Sequence, residues 1–156
     1  GTELGRLLAS NGHHLVWGGS DMGLMKTVAT SVQENGGKLY GVSVEFLKHK
    51  ARQNADEMHI AKALGERKAE MLVRSDAVVV MVGGLGTMDE LTDVLELKKH
   101  DHHNKDVIDL NTDGFYEGLK AQFEAMAREG FLTVKLENLL KFANTPADVI
   151  ELLNKV

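Results

Sequence analysis

The run Ala77-Val78-Val79-Val80-Met81-Val82 is apolar at every position and passes directly into Gly83-Gly84-Leu85-Gly86-Thr87. A strand with one face in water alternates apolar and polar residues, so a strand apolar throughout needs cover on both faces. Helices supply that cover in folds whose parallel strands are joined by helical crossovers. The rest of the chain keeps the matching rhythm. Short β-rich runs at residues 14–17, 39–44, 107–110 and 139–143 alternate with stretches at 22–33, 59–74, 87–99, 114–128 and 146–154. In those stretches apolar residues recur at spacings of three and four, as a helix with one buried face requires. The expected architecture is a three-layer α/β sandwich with residues 77–82 as its central strand.

A chain of 156 residues with 43% hydrophobic composition can bury one core. Without an internal repeat or a Pro/Gly/Ser linker, residues 1–156 read as a single domain, and the one proline, Pro146, falls where the last helix should begin. A formal charge of -5 argues against a nucleic-acid polymer as partner, since such proteins carry a strongly basic face. A small anion, held by a few local groups, stays compatible with that charge. There is no cysteine, no apolar run near the roughly 20 residues of a membrane span, and no opening secretory signal. A cytoplasmic protein away from the membrane is expected. The opening "GTELGRLLASNG" reads as a helix ending at Asn11-Gly12. The first strand of an open α/β sheet is commonly central, so this chain is expected to lack its first strand, which either lies outside this numbering or was not retained.

Gly83, Gly84 and Gly86 lie between a strand's carboxyl end and the next helix, where open α/β sheets bind ligands. Without Cβ atoms a phosphate can reach the main chain, the amides of residues 84–87 can point at it, and the helix start adds partial positive charge. Thr87 can either cap the helix or donate its hydroxyl to the anion. The spacing is G-G-x-G-T-x-x-E, distinct from the dinucleotide fingerprint G-x-G-x-x-G. A tight turn that binds nothing would also use these residues. A second cluster, "WGGSDMGLM" at residues 17–25, repeats the strand, glycine turn and helix order. There Gly18, Gly19 and Ser20 are candidates to hold a ribose or phosphate, with Gly23 either part of the site or a packing point.

Between the clusters, "GERKAEM" carries Arg67 and Lys68 in the helix before the long apolar strand, and Asp89 and Glu90 open the helix after it. Such charges usually form a solvated face. Here they also supply the cation and carboxylate that phosphosugar chemistry uses. Glu90, three residues beyond Thr87, equally fits the acid of a capping box.

Taken together, these residues resemble the LOG (Lonely Guy) family, cytokinin riboside 5'-monophosphate phosphoribohydrolases formerly labelled lysine decarboxylases. The family's P-G-G-x-G-T-x-x-E is similar to residues 82–90, its R-K-x-x-M to Arg67-Lys68-Ala69-Glu70-Met71, and its G-G-G-x-x-G-L-M to residues 18–25. "LNTDGFY" at 110–116 and "EGF" at 129–131 extend the likeness over nearly the whole chain. Val82 stands in place of the family's proline, Ser20 its third glycine and Lys26 a later glycine. Glu96-Leu97-Lys98-Lys99 replaces the Thr-Trp-x-Gln of plant-like members, which implies a different base pocket.

The resemblance implies a Rossmann-like open parallel sheet with helices on both faces, and hydrolysis of the N-glycosidic bond of a nucleoside 5'-monophosphate such as AMP. It implies Arg67 and Glu90 as catalytic residues and a homodimer or higher homo-oligomer. Gly18, Gly19, Ser20, Lys68, Gly83, Gly84, Gly86 and Thr87 would hold phosphate and ribose, with neither metal nor cofactor. A carboxylate suits a reaction that develops positive charge at the anomeric carbon. A nucleotide- or cofactor-binding carrier without hydrolysis is the alternative, and an assembly protein retaining the fold alone is a third reading. "HDHHNK" at residues 100–105 reads as a solvated connection, since closed zinc sites gather ligands from several segments. Lysine decarboxylation would need a pyridoxal phosphate framework much larger than this.

Overall fold

In the computed structural model, which describes residues 1–155, the chain forms two compact units, Gly1–Ser75 and Asp76–Val156. The first unit runs through helix α1 (Thr2–Ser10), strand β1 (Leu15–Trp17), helix α2 (Gly23–Glu34) and strand β2 (Leu39–Val44). A 3-10 segment (Glu45–Lys50), strand β3 (Glu57–Ala61) and helix α3 (Leu64–Arg74) complete it. Its sheet has the order β1-β2-β3, all parallel, with Val16 opposite Tyr40 and Val42 opposite His59. β2, in the middle, is buried at every position but Tyr40, which explains its nearly continuous apolar reading. α1 lies directly on α2: a Cβ on Gly5 would come within 2.6 Å of Ser31 Cβ, and the Ser31 hydroxyl donates to the Thr2 carbonyl at 2.5 Å.

The helix expected over residues 59–74 divides in two. Its start belongs to β3, whose five residues pair in parallel with residues 40–44 of β2, and the helix proper begins at Leu64. A segment this short fits either period, and the ladder to β2 decides between them.

The second unit contains strand β4 (Ala77–Val80), helix α4 (Leu85–Lys99), strand β5 (Asp106–Leu110), a 3-10 turn (Thr112–Gly114) and helix α5 (Glu117–Arg128). A short helix α6 (Leu136–Leu139), strand β6 (Lys141–Ala143) and helix α7 (Pro146–Asn154) follow. The sheet order is β4-β5-β6, again parallel. Residues 77–80 of the apolar run therefore form an edge strand of their ladder among the described residues, and β5 takes the middle. An uninterrupted apolar run does not fix position in the ladder, and Ala77, Val78 and Val79 are only half-buried, so the expectation of a central strand fails here. Pro146 opens α7 as expected, and Thr145 and Asp148 form a reciprocal capping box at its start.

Both units are parallel sheets with helices packed around them, a Rossmann-like α/β fold. Among the described residues no helix is long and apolar enough to cross a membrane.

Candidate active site

In the first unit, β1 ends at the buried Trp17 and the chain turns through Gly18, Gly19 and Ser20 toward α2. The glycines there answer first to the protein itself. Arg67, on α3, donates from Nε to the Val42 carbonyl at 3.0 Å and from Nη2 to the Gly18 carbonyl at 2.9 Å. A Cβ on Gly18 would overlap that guanidinium. Gly19 adopts φ +79, and a Cβ there would meet Met58 Sδ at 2.9 Å. The Trp17 indole donates to the Ser20 carbonyl at 3.1 Å, and the Ser20 hydroxyl accepts from the Met22 amide at 3.2 Å. Arg67 is thus held half-buried by two main-chain carbonyls, which fix the direction of its planar fork. Lys68 follows on the same helix, also half-buried.

A strap that the sequence did not reveal runs over this loop. The Arg52 amide donates to the Gly19 carbonyl at 2.8 Å, the Asp21 amide donates to the Lys50 carbonyl at 3.0 Å, and Ser20 and Ala51 form an antiparallel bridge.

In the second unit, β4 ends at Val80, the chain continues through Met81 and Val82 to Gly83 and Gly84, and α4 starts at Leu85 with Gly84 as its N-cap. Thr87 packs back on the turn, so a Cβ on Gly83 would collide with its hydroxyl. Gly84 and Gly86 differ: a Cβ on either would meet nothing within 4 Å. Glycine inside a helix costs roughly 0.5–1 kcal/mol relative to alanine, and packing within this chain gives Gly86 no reason for it. Among the described residues Gly84 caps α4 without a side-chain hydrogen bond and no acid occupies the first turn, so the partial positive charge of this helix start suits an anion. Because α4 begins at Leu85, Thr87 lies inside the helix, and Glu90 sits in its second turn, half-buried, rather than in a capping box.

Beneath this turn lie two buried groups that the sequence reading passed over. The Tyr116 hydroxyl donates to the Met81 carbonyl at 2.6 Å, fastening the end of β4. Asp109 on β5 is 0% exposed, and neither carboxyl oxygen has a partner among the described residues. Burial pushes its pKa from 3.8 to about 7. Burial, reinforced by the Asp109 charge, also raises Tyr116. The available signal was the acid in Val107-Ile108-Asp109-Leu110, an otherwise apolar strand.

Glu96, Lys98 and Lys99 lie in the last turns of α4, roughly 15 Å along the axis from Gly86 at 1.5 Å per residue. They are engaged locally. Glu96 pairs with Lys99 at 2.8 Å and His100 at 2.9 Å, and Lys98 Nζ donates to the Lys105 carbonyl at 2.8 Å. His103 is held at both ring nitrogens, by the Val94 carbonyl at 2.9 Å and the Lys105 amide at 3.1 Å. Among the described residues no cluster of His, Cys, Asp and Glu could hold a metal ion.

Parallel strands ending in glycine turns, one buttressed by an arginine and one opening an uncapped helix, define a Rossmann-like α/β protein with its candidate ligand groups at strand carboxyl ends. A family model described as "Possible lysine decarboxylase" matches residues 25–153. The chain belongs to that family, the LOG proteins of its motifs. It is 36% identical over 150 residues to a rice protein named "Probable cytokinin riboside 5'-monophosphate phosphoribohydrolase", covering 95% of this chain and 67% of that one. It is 33% identical over 144 residues to the Mycobacterium marinum "Cytokinin riboside 5'-monophosphate phosphoribohydrolase", covering 90% of this chain and 77% of the relative. The chain spans 61 to 67% of the length of three such rice relatives. Among solved structures it is similar to a molybdenum cofactor binding protein from Rippkaea orientalis, with TM-score 0.72 and 25% identity, covering 99% of this chain and 83% of that one.

Proposed function

We propose that this protein hydrolyses the N-glycosidic bond of a nucleoside 5'-monophosphate such as AMP. Water adds its hydroxide to the ribose anomeric carbon, and the base leaves with the remaining proton, giving free base and ribose 5-phosphate. The observation that carries this reading is the start of α4: uncapped, free of acids in its first turn, and built with two glycines that face open space. That is an anion-binding helix start, and the named relatives act on a nucleoside monophosphate. In the second unit Gly83, Gly84, Gly86 and Thr87 would hold the phosphate, and in the first unit Lys68 is the basic candidate of its motif. Gly18, Gly19 and Ser20 would contribute to the ribose side chiefly by shaping the loop that Arg67 grips.

Glu90 would supply the carboxylate that stabilises charge at the anomeric carbon or takes a proton from the attacking water. Arg67 would orient the substrate through the donors that its carbonyl bonds leave over, since a guanidinium is a poor proton donor. The hydrolysis so described requires no metal or cofactor. We further propose a cytoplasmic homodimer with α3 at its contact. No residue of α3 is buried, although Val73 is 74% and Leu64 45% exposed on it. Light scattering at micromolar concentration should give twice the monomer mass, and an active species of monomer mass would overturn the dimer.

A carrier reading draws on the likeness to the molybdenum cofactor binding protein. Incubating the protein with a panel of nucleoside monophosphates and separating the products by chromatography distinguishes the two. Free base supports hydrolysis, and a bound but intact nucleotide supports the carrier.

A further inference from the structure

The strap at residues 50–52 raises a question that loop geometry alone leaves open. Arg52 is 9% exposed, an unusual place for a guanidinium. Its Nε donates to Asn54 Oδ1 at 2.9 Å, Nη1 to Asp21 Oδ1 and Thr30 Oγ1, each at 3.0 Å, and Nη2 to Gln33 Oε1 at 2.8 Å. Only one of the four acceptors is charged. The ion pair of Arg52 with the partly exposed Asp21 is weak as a stabilising device, because solvent screens the carboxylate while the guanidinium is desolvated. What the arrangement does provide is geometry. Four hydrogen bonds from one rigid plane clamp the loop at Asp21, the helix α2 at Thr30 and Gln33, and the chain just after the strap at Asn54.

The clamp leads to Arg67. The Arg52 amide takes the Gly19 carbonyl at 2.8 Å, and the adjoining Gly18 carbonyl receives Arg67 Nη2 at 2.9 Å. Gly18 and Gly19 have no side chains of their own to anchor the turn. The orientation of the Gly18 carbonyl therefore depends on what holds the loop around it, the Trp17 indole on the Ser20 carbonyl and the strap closed by Arg52.

We propose that Arg52 is a positioning residue for Arg67: by clamping Asp21 and the strap over residues 18–20 it presents the Gly18 carbonyl that aims the Arg67 guanidinium. The inference rests on the proposed role of Arg67 in nucleotide hydrolysis, while its structural half stands apart from that role. Arg52→Lys retains the charge and reaches Asp21, yet cannot span Asp21, Gln33 and Asn54 together. Lysine should therefore fail to restore the alignment. Asp21→Asn is the milder variant, because Asp21 is partly exposed and the substitution weakens one arm of the clamp.

Both variants are compared with wild type in two measurements. The first is the arginine Nε–H region of a 15N-resolved NMR spectrum, with the Arg67 signal assigned by its loss in Arg67→Lys. The second is kcat and KM for release of adenine from AMP. The expected result is a shifted or exchange-broadened Arg67 signal in each folded variant, with kcat lowered about tenfold for Arg52→Lys and KM changed less, as for a misaligned group. An unchanged Arg67 signal in a folded variant overturns the proposal, whatever the thermal stability. Should Arg52→Lys fail to fold, Asp21→Asn decides on the same signal. If wild type releases no adenine, AMP hydrolysis fails by itself, and the Arg67 signal still upholds or overturns the positioning role.

Discussion

Replacing Asp109 by asparagine removes a wholly buried carboxyl, unpartnered among the described residues, that is pushed from 3.8 to about 7. At 1.36 kcal/mol per tenfold change in proton affinity, that rise makes the ionised acid at most about 4 kcal/mol less favourable in the folded state than in the unfolded one. The folded pKa is the higher of the two, so the folded state holds the proton more tightly. The contribution of Asp109 to stability is then fully present below about pH 4, declines as the pH rises toward about 7, and is flat beyond. An asparagine has no such dependence. Stability of Asp109→Asn minus that of wild type should therefore increase by up to about 4 kcal/mol between about pH 4 and pH 8, whatever constant offset the amide brings. Urea unfolding followed by circular dichroism at a series of pH values measures that difference, and carbon NMR of the Asp109 carboxyl follows its titration directly. A difference that stays constant to within about 0.5 kcal/mol across the range would show that the folded protein does not perturb the acid.

Further outcomes follow from the glycine turn and its support. Gly86→Ala should raise stability by roughly 0.5–1 kcal/mol, through the better helix propensity of alanine, while weakening phosphate binding. Gly83→Ala should instead destabilise, because its Cβ would strike Thr87. Paired thermal melts and phosphate titrations separate these effects, and equal behaviour of the two variants would contradict the distinction drawn between them. Tyr116→Phe should cost about 1–3 kcal/mol by leaving the Met81 carbonyl without its donor. A loss confined to a few tenths would mean that water replaces the hydroxyl.

The sequence made legible what depends on short-range patterns. Two strands ending in glycines, the helices after them and the proline that opens α7 all carry local marks, and the structure contains each of them. The start of α4 was misread because Thr87 is a good N-cap by composition, whereas Gly84 holds that position and Thr87 packs against Gly83. β3 escaped because five residues match a helix as readily as a strand, and only the ladder to β2 separates the two. Arg52 escaped for a different reason. In "KHKARQNADE" it reads as one more surface charge, and its burial comes from acceptors at Asp21, Thr30 and Gln33 that lie far from it in the sequence. Arg67 was found through its motif, but its two carbonyl partners, which give the glycines at 18 and 19 their local reason, depend on tertiary structure.

The proposed role of Glu90 in hydrolysing a bound nucleotide is open to a single experiment. Wild type and Glu90→Gln are incubated with carbon-labelled AMP at saturation, and bound AMP and released adenine are counted in the same samples. The expected result is adenine from wild type and release lowered by about a hundredfold or more in Glu90→Gln, with AMP binding nearly unchanged, as for a group acting chiefly in the transition state. Normal adenine release by a folded Glu90→Gln protein would contradict it.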